Sequence, residues 1–212
     1  MVPLPTLLVF ALAALGLLIV PGPAVLYIVT RSVAQGRRAG LASVLGIELA
    51  SLCHSAAAAL GLSAILMASA LAFNVVKYIG AAYLVYLGIR SFLSKTDAGT
   101  GESSSPRTFS QLFGKGFLVN LLNPKTALFF YAFLPQFVDP SRGSPVHQIL
   151  FLGALFVLLA TCTDSTYALI GSSVGRLIMR RARFQKARRY VTGGISIALG
   201  VAAAASGHGT NG

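Results

Sequence analysis

Charge, and negative charge above all, is scarce in this chain. Of its 212 residues only 10% are charged, and five Asp and Glu stand against 17 Lys and Arg. Hydrophobic residues make up 55% and mean hydropathy is +0.76. Too little polar sequence remains to cover a soluble core, which excludes a water-soluble globular domain. The N-terminus lacks the basic region and small-residue cleavage site of a secretory signal, and its apolar run continues to Thr30. The first hydrophobic segment is therefore expected to stay in the mature protein. Only two cysteines occur, Cys53 and Cys162, both within apolar runs. They are expected to be small buried hydrophobes, not a structural disulfide.

A membrane-spanning helix needs about 20 mostly apolar residues. Six stretches qualify, at 4–33, 41–70, 72–93, 112–138, 147–171 and 190–206. The expected fold is thus an all-α integral membrane protein with six transmembrane helices. The net charge of +12 invites a nucleic-acid reading, but its distribution opposes one. Arg31, Arg37 and Arg38 fall between spans 1 and 2, and Arg90, Lys95, Arg107 and Lys115 between spans 3 and 4. Arg176, Arg180, Arg181, Arg183, Lys186, Arg188 and Arg189 fall between spans 5 and 6, whereas the alternate loops hold only Lys77 and Arg142. Basic residues in short loops mark the cytoplasmic side, so both termini are expected outside. The segment 176–189 reads as a topology determinant that also meets anionic lipid headgroups.

Three spans (residues 1–93) precede a Gly, Ser and Pro-rich stretch, 94–111, that reads as a cytoplasmic linker. Three more spans (112–206) and a short polar tail (207–212) follow. An odd number of spans per half inverts the second half relative to the first, as in transporters built from two inverted three-helix repeats. Spans 1 and 4 are each interrupted by proline, at Pro21-Gly22-Pro23 and at Asn123-Pro124-Lys125. Residues 4–33 as one straight helix would reach about 45 Å at 1.5 Å per residue, against a hydrocarbon core of ~30 Å. A broken helix removes the excess. Paired breaks in corresponding halves point to a substrate site at the repeat junction.

Two of the five acids lie inside spans: Glu48 in span 2 and Asp164 in span 5. Intramembrane acids normally face the bundle interior and mark a pathway. Glu48 lies seven residues past Leu41 and Asp164 seven before Gly171, so each sits ~10 Å below the cytoplasmic boundary. Lys125, after the second break, is the expected counter-ion, solvated by backbone carbonyls near Leu121, by Asp164 or by a substrate carboxylate. A half-helix starting at Pro124 would add attraction for an anion. Helical spacing puts Glu48, Ser51 and Ser55 on one face of span 2, and Asp164, Tyr167 and Gly171 on one face of span 5. His54 has two open roles, proton relay or hydrogen bonding to a neighbouring helix. No ligand spacing argues for a metal at Cys53, His54, Cys162 and Asp164, and no cofactor is expected. The small-residue runs 56–61 and 196–205 are expected packing faces and permit a homodimer.

Several segments resemble the lysine-exporter/RhtB-type amino-acid translocator family over nearly the whole chain. They are Pro21-Gly22-Pro23, Gly36 to Gly40, Gly46 to His54, Gly80 to Arg90, Asn120 to Lys125 and Leu134 to Phe137. The resemblance implies a six-span inner-membrane exporter of amino acids or derivatives such as homoserine, threonine, leucine or homoserine lactone, driven by the proton-motive force. It also implies functional roles for Pro21, Gly22, Pro23, Asn123, Pro124, Lys125 and Asp164. Glu48 is not part of the resemblance and stands on membrane physics alone. An ion or metal transporter of similar architecture is the alternative. An intramembrane hydrolase is set aside: Ser51 and His54 are neighbours on a helix, but the acids lack a Gly-x-Gly-Asp setting.

Overall fold

The computed structural model describes residues 2–62 and 107–179, with single helical positions at 75, 78, 82, 85, 86, 89, 197 and 201. The expected third and sixth spans, and the side chains of the basic segment 176–189, lie outside the described residues. Within them the regular structure is helical throughout: α1 (Leu4–Ile19), α2 (Pro23–Gln35), α3 (Arg37–Ala57), α4 (Phe109–Leu121), α5 (Pro124–Leu128) and α6 (Pro145–Met179). A π-helical turn, Ala58–Leu62, extends α3, and π and 3₁₀ turns carry α5 on to Phe137. Helices α3 and α6 are each long and apolar enough to cross a membrane. The pairs α1–α2 and α4–α5 qualify as one broken span each, bent by 53° and 51°.

The boundaries follow from local chemistry. α1 opens with proline in its first turn, where a missing N–H is no loss. It ends where Pro21 and Pro23 withdraw two successive donors. Thr108 starts α4 with a capping box: its hydroxyl accepts from the Gln111 N–H at 3.4 Å, and its own N–H donates to the Gln111 side chain at 3.0 Å. Between α2 and α3 there is one residue, Gly36, with φ 84° and ψ 177°, a conformation open in practice only to glycine. The chain reverses there without a loop.

The bundle is held between its two halves. α3 packs on α4 and α6, α2 on α6, and α1 on α6. Phe10, Ala14 and Leu17 of α1 point into an aromatic core with Phe129, Phe130 and Phe156. Leu8 and Leu12 of α1 and Leu45, Leu49 and Leu52 of α3 are exposed, as a lipid-facing surface requires. The α3–α4 crossing is close because it is built on glycines. A Cβ on Gly116 would lie 2.6 Å from the Ser43 carbonyl oxygen, and one on Gly46 would run into the Phe113 carbonyl.

Two expectations are corrected here. Cys53 and Cys162 are free and exposed, not buried. Cys53 follows directly on the lipid-facing Leu49 and Leu52, and Cys162 lies one turn past exposed Leu158, so each falls on the outer side of its helix. Arg31 belongs to no loop. It is 2% exposed within α2, with its guanidinium carbon 5.6 Å from the Tyr27 ring centroid. The basic residues at the α2–α3 reversal are therefore Arg37 and Arg38, exposed in the first turn of α3. In the opposite loop Arg142 is ion-paired with Asp139 at 2.8 Å, which deepens the charge asymmetry. Hydrogen bonds from Ser141 hold the Asp139 carboxyl below its usual range.

The glycine contacts give a paired expectation. Gly46→Ala drives a methyl into backbone and should destabilise the protein by about 1–3 kcal/mol, the usual range for overpacking. Gly114→Ala on the same crossing helix meets nothing within 4 Å and should be stabilising by ~0.5–1 kcal/mol through helix propensity. Unfolding midpoints of the purified variants in detergent check both signs.

Candidate functional site

Each proline of the two breaks leaves one carbonyl without its helical donor, four residues earlier. For Pro21 that carbonyl is Leu17, for Pro23 it is Ile19, and for Pro124 it is Asn120. In hydrocarbon no water replaces the missing donor. Tight turns return a backbone N–H to two of these carbonyls, Val20 to Leu17 at 3.2 Å and Asn123 to Asn120 at 3.1 Å, and side chains from elsewhere add further donors. The Lys125 ammonium donates to the Leu17 carbonyl at 2.7 Å and to the Val20 carbonyl at 2.6 Å. The Tyr167 hydroxyl donates to the Ile19 carbonyl at 2.6 Å. His54 Nε2 lies 3.3 Å from the Asn120 carbonyl. A carbonyl only accepts, so Nε2 carries the proton; in the neutral ring Nδ1 then accepts from the Tyr131 hydroxyl at 3.1 Å. The His54 ring also stacks on Phe130 at 6.0 Å. His54 is thus hydrogen-bonded to the element that carries the second break.

Lys125 thus solvates carbonyls of the first break, 105 and 108 residues away in sequence, and not those near Leu121. The second break is knotted instead by Asn120, which sequence reasoning left out of the candidate site. Its amide donates to the Ile47 carbonyl at 2.8 Å and the Ser51 hydroxyl at 3.0 Å, and its oxygen accepts from Thr126 at 2.8 Å. Asn123 is extended (φ −77°, ψ 109°), and its side chain caps α5 by accepting the Lys125 N–H at 3.1 Å. At the first break the helix start is different: Gly22 is extended (φ −99°, ψ −168°) and no side chain caps α2. One N–H expected to be free after Pro124 is thus capped, whereas the start of α2 has no side-chain cap.

Between the breaks lies a cavity of about 40 Å³, room for a few waters at roughly 10–15 Å³ each. Gly22, Glu48, Ser51, Asn123, Lys125 and Asp164 line it, all of them expected from sequence, and Asn120 and Thr126 join them. Pro21, Pro23 and Pro124 shape its walls without lining it. Tyr167 and His54 serve the breaks from outside it. Glu48 and Asp164 are 6% and 3% exposed. Neither Glu48 carboxyl oxygen has a hydrogen-bond partner among the described residues, nor has Asp164 Oδ1. Asp164 lies within Coulombic reach of Lys125, and the Glu48 and Asp164 carboxyls face each other closely enough to share a proton, though no hydrogen bond of good geometry joins them. Of the other face residues, Ser55 is buried against Gly153, and Gly171 packs on Val29 and Ser32.

Among the described residues no group of three His, Cys, Asp or Glu side chains gathers to hold a metal. Gly171-Ser172-Ser173-Val174-Gly175 has the spacing of a hydrolase nucleophile turn, but it lies inside α6 and not at a strand-to-helix turn. Ser173 donates to the Leu169 carbonyl at 3.1 Å.

Residues 15–207 match the family model described as LysE type translocator. The chain belongs to this family. It is a multi-pass membrane protein of a translocator family whose relatives include amino-acid efflux proteins. It is 32% identical over 171 residues to an uncharacterized membrane protein of Vibrio cholerae, covering 81% of this chain and 83% of that one. It is 28% identical to the homoserine/homoserine lactone efflux protein of Salmonella typhimurium, covering 89% of this chain and 90% of that one. It is 27% identical to the leucine efflux protein of Klebsiella pneumoniae, covering 84% and 85%. No solved structure matches the chain.

The Tyr167 bond gives a stability prediction for this LysE-type translocator. Tyr167→Phe strands the Ile19 carbonyl and should destabilise by about 1–3 kcal/mol. Val20 and Gly22 are extended, and residue 23 opens α2, so an N–H restored by Pro23→Ala does not reach that carbonyl and the Tyr167→Phe penalty should be the same in both backgrounds. A double-mutant cycle on unfolding free energies checks this directly. A clearly smaller penalty with Pro23→Ala would show that the helix re-forms across the break.

Proposed function

We propose that this protein is a secondary exporter of amino acids or their derivatives, of the homoserine, threonine, leucine and homoserine lactone class, working by proton antiport. The observation that carries this reading is a set of three carboxyl oxygens without a hydrogen bond of good geometry, both of Glu48 and Oδ1 of Asp164, buried beside Lys125 in a cavity between two broken helices. A buried polar group without a partner is expensive, so these oxygens are suited to a ligand that brings donors. An ammonium group brings three. Two carboxylates and one ammonium leave one negative charge, which a substrate amino group or a proton balances. The names of the efflux relatives support the substrate class.

On this reading the substrate enters from the cytoplasm and its amino group sits at Asp164 and Glu48. Its carboxylate meets the uncapped start of α2, where the N–H groups and helix dipole favour an anion, with Lys125 adjacent. Protonation of an acid from outside displaces the amino group and resets the carrier. The halves rock about the breaks. The near-equal bends of 53° and 51° support the assignment of α1–α2 and α4–α5 as corresponding helices of two inverted three-span repeats. The basic loops support a cytoplasmic-membrane protein with both termini outside.

Export by cells carrying Asp164→Asn or Lys125→Ala tests the site. Both are expected to lower efflux of the exported amino acid by tenfold or more at normal membrane abundance. Normal rates in both variants, with normal abundance, would falsify the assignment. Profiling solutes outside expressing and deleted cells identifies the cargo, and an inorganic cation as the only accumulating solute would replace this reading.

A further inference from the structure

The α6 wall of the cavity is a single stripe. Phe156, Ala160 and Asp164 follow one another at intervals of four, a spacing that puts them on one helix face, and all three line the cavity and are buried. Ala160 lies one turn from Asp164, about 6 Å along the axis at 1.5 Å per residue. A solute whose amino group is held at Asp164 therefore brings the side chain on its neighbouring carbon into reach of Ala160. Past Ala160 the wall becomes aromatic. Phe156 sits 4.6 Å from Phe129 and 5.0 Å from Phe130, centroid to centroid, and Leu17 closes the space from α1. The side chains of Phe156, Ala160 and Leu17 are apolar, although the Leu17 carbonyl accepts from the Lys125 ammonium at 2.7 Å; Glu48 and Asn120 join the lining from other helices. Ala160 is 2% exposed and is the smallest side chain on the α6 stripe. The open volume is about 40 Å³, so each carbon added to this wall removes a large share of it.

We propose that Ala160 sets the size of the side chain that the exporter accepts, with Phe156 as the floor of that subsite. The carbons Ala160 lacks leave the space that the apolar part of the solute fills. The inference rests on the amino-group site at Asp164 and Glu48 and adds to it a specificity-determining residue.

The test is competitive efflux of a graded set (glycine, alanine, homoserine, threonine, leucine and phenylalanine) from cells expressing the full chain at matched membrane abundance. Ala160→Val should lower export of the largest solute carried by the unaltered protein at least about tenfold relative to the smallest, the discrimination that one or two methyl groups supply in an apolar pocket. Ala160→Gly and Phe156→Leu should move the ratio the other way. Unchanged ratios overturn the proposal, as does an equal loss across all solutes. If Ala160→Val fails to reach the membrane, the Phe156→Leu ratio decides by the same criterion. Asp164→Asn in the same assay separates the two layers. If it exports normally, the amino-group site fails and Ala160 with it. If it abolishes export while the Ala160 and Phe156 ratios stay fixed, only the size subsite fails.

Discussion

The structure depends on how the carbonyls freed at the two breaks are satisfied. Pro21, Pro23 and Pro124 each remove a helical donor, and the lipid interior offers none in exchange. Short backbone bonds reach Leu17 and Asn120, and Lys125, Tyr167 and His54 add side-chain donors, each from a different element. Two of these bonds cross from one half of the chain to the other at the first break, and the third crosses in the opposite direction at the second. A pair of local defects thereby becomes a tie between halves that share no covalent contact at that level. Each break is tolerable only because the other half is docked against it.

The cavity is a consequence of the same bends. A continuous helix at either position would fill the space with side chains and leave Glu48 and Asp164 facing apolar surface, an arrangement that buried carboxylates do not tolerate. The bends of 53° and 51° open a gap that polar groups line from both sides. Glycine does the complementary work one layer away. The contacts of Gly46 with Phe113 and of Gly116 with Ser43 bring α3 and α4 to backbone contact, which carries Asn120 close enough to bond Ile47 and Ser51. Tight packing at the crossing and open space at the breaks are two results of one geometry.

Much of this was legible in the sequence, and the boundary of legibility is itself physical. Proline acts on its own helix within four residues, so the position of both breaks and the extended conformation of Gly22 and Asn123 could be read locally. The intramembrane acids were legible because burial is expensive for any charge, whatever surrounds it. Six candidate residues meet at the cavity for these reasons. What could not be read was pairing. Lys125 was expected to answer the carbonyls of its own break, yet it answers those of the other, because the choice depends on how two bent helices cross. Asn120 was passed over as one polar residue in a motif, although its place four residues before Pro124 marked its carbonyl as an orphan. Cys53 and Cys162 were misjudged because run membership reports hydrophobicity but not which side of a helix faces lipid, and Arg31 because its charge alone assigned it to a loop although it is buried within α2.

One consequence of the pairing bears on how an exporter of this design would couple charge to shape. Lys125 is the counter-charge within reach of Asp164 and also the donor that closes α1 at Leu17 and Val20. An ammonium has three N–H groups, and two are committed to the first break. Under the proposed mechanism, a proton or a substrate amino group arriving at Asp164 changes what the third N–H faces. The balance between that carboxyl and the two carbonyls shifts with it. The occupancy of the cavity and the bend of the first helix are then joined through a single side chain. No separate relay is needed, because the group that senses charge is the group that holds the break.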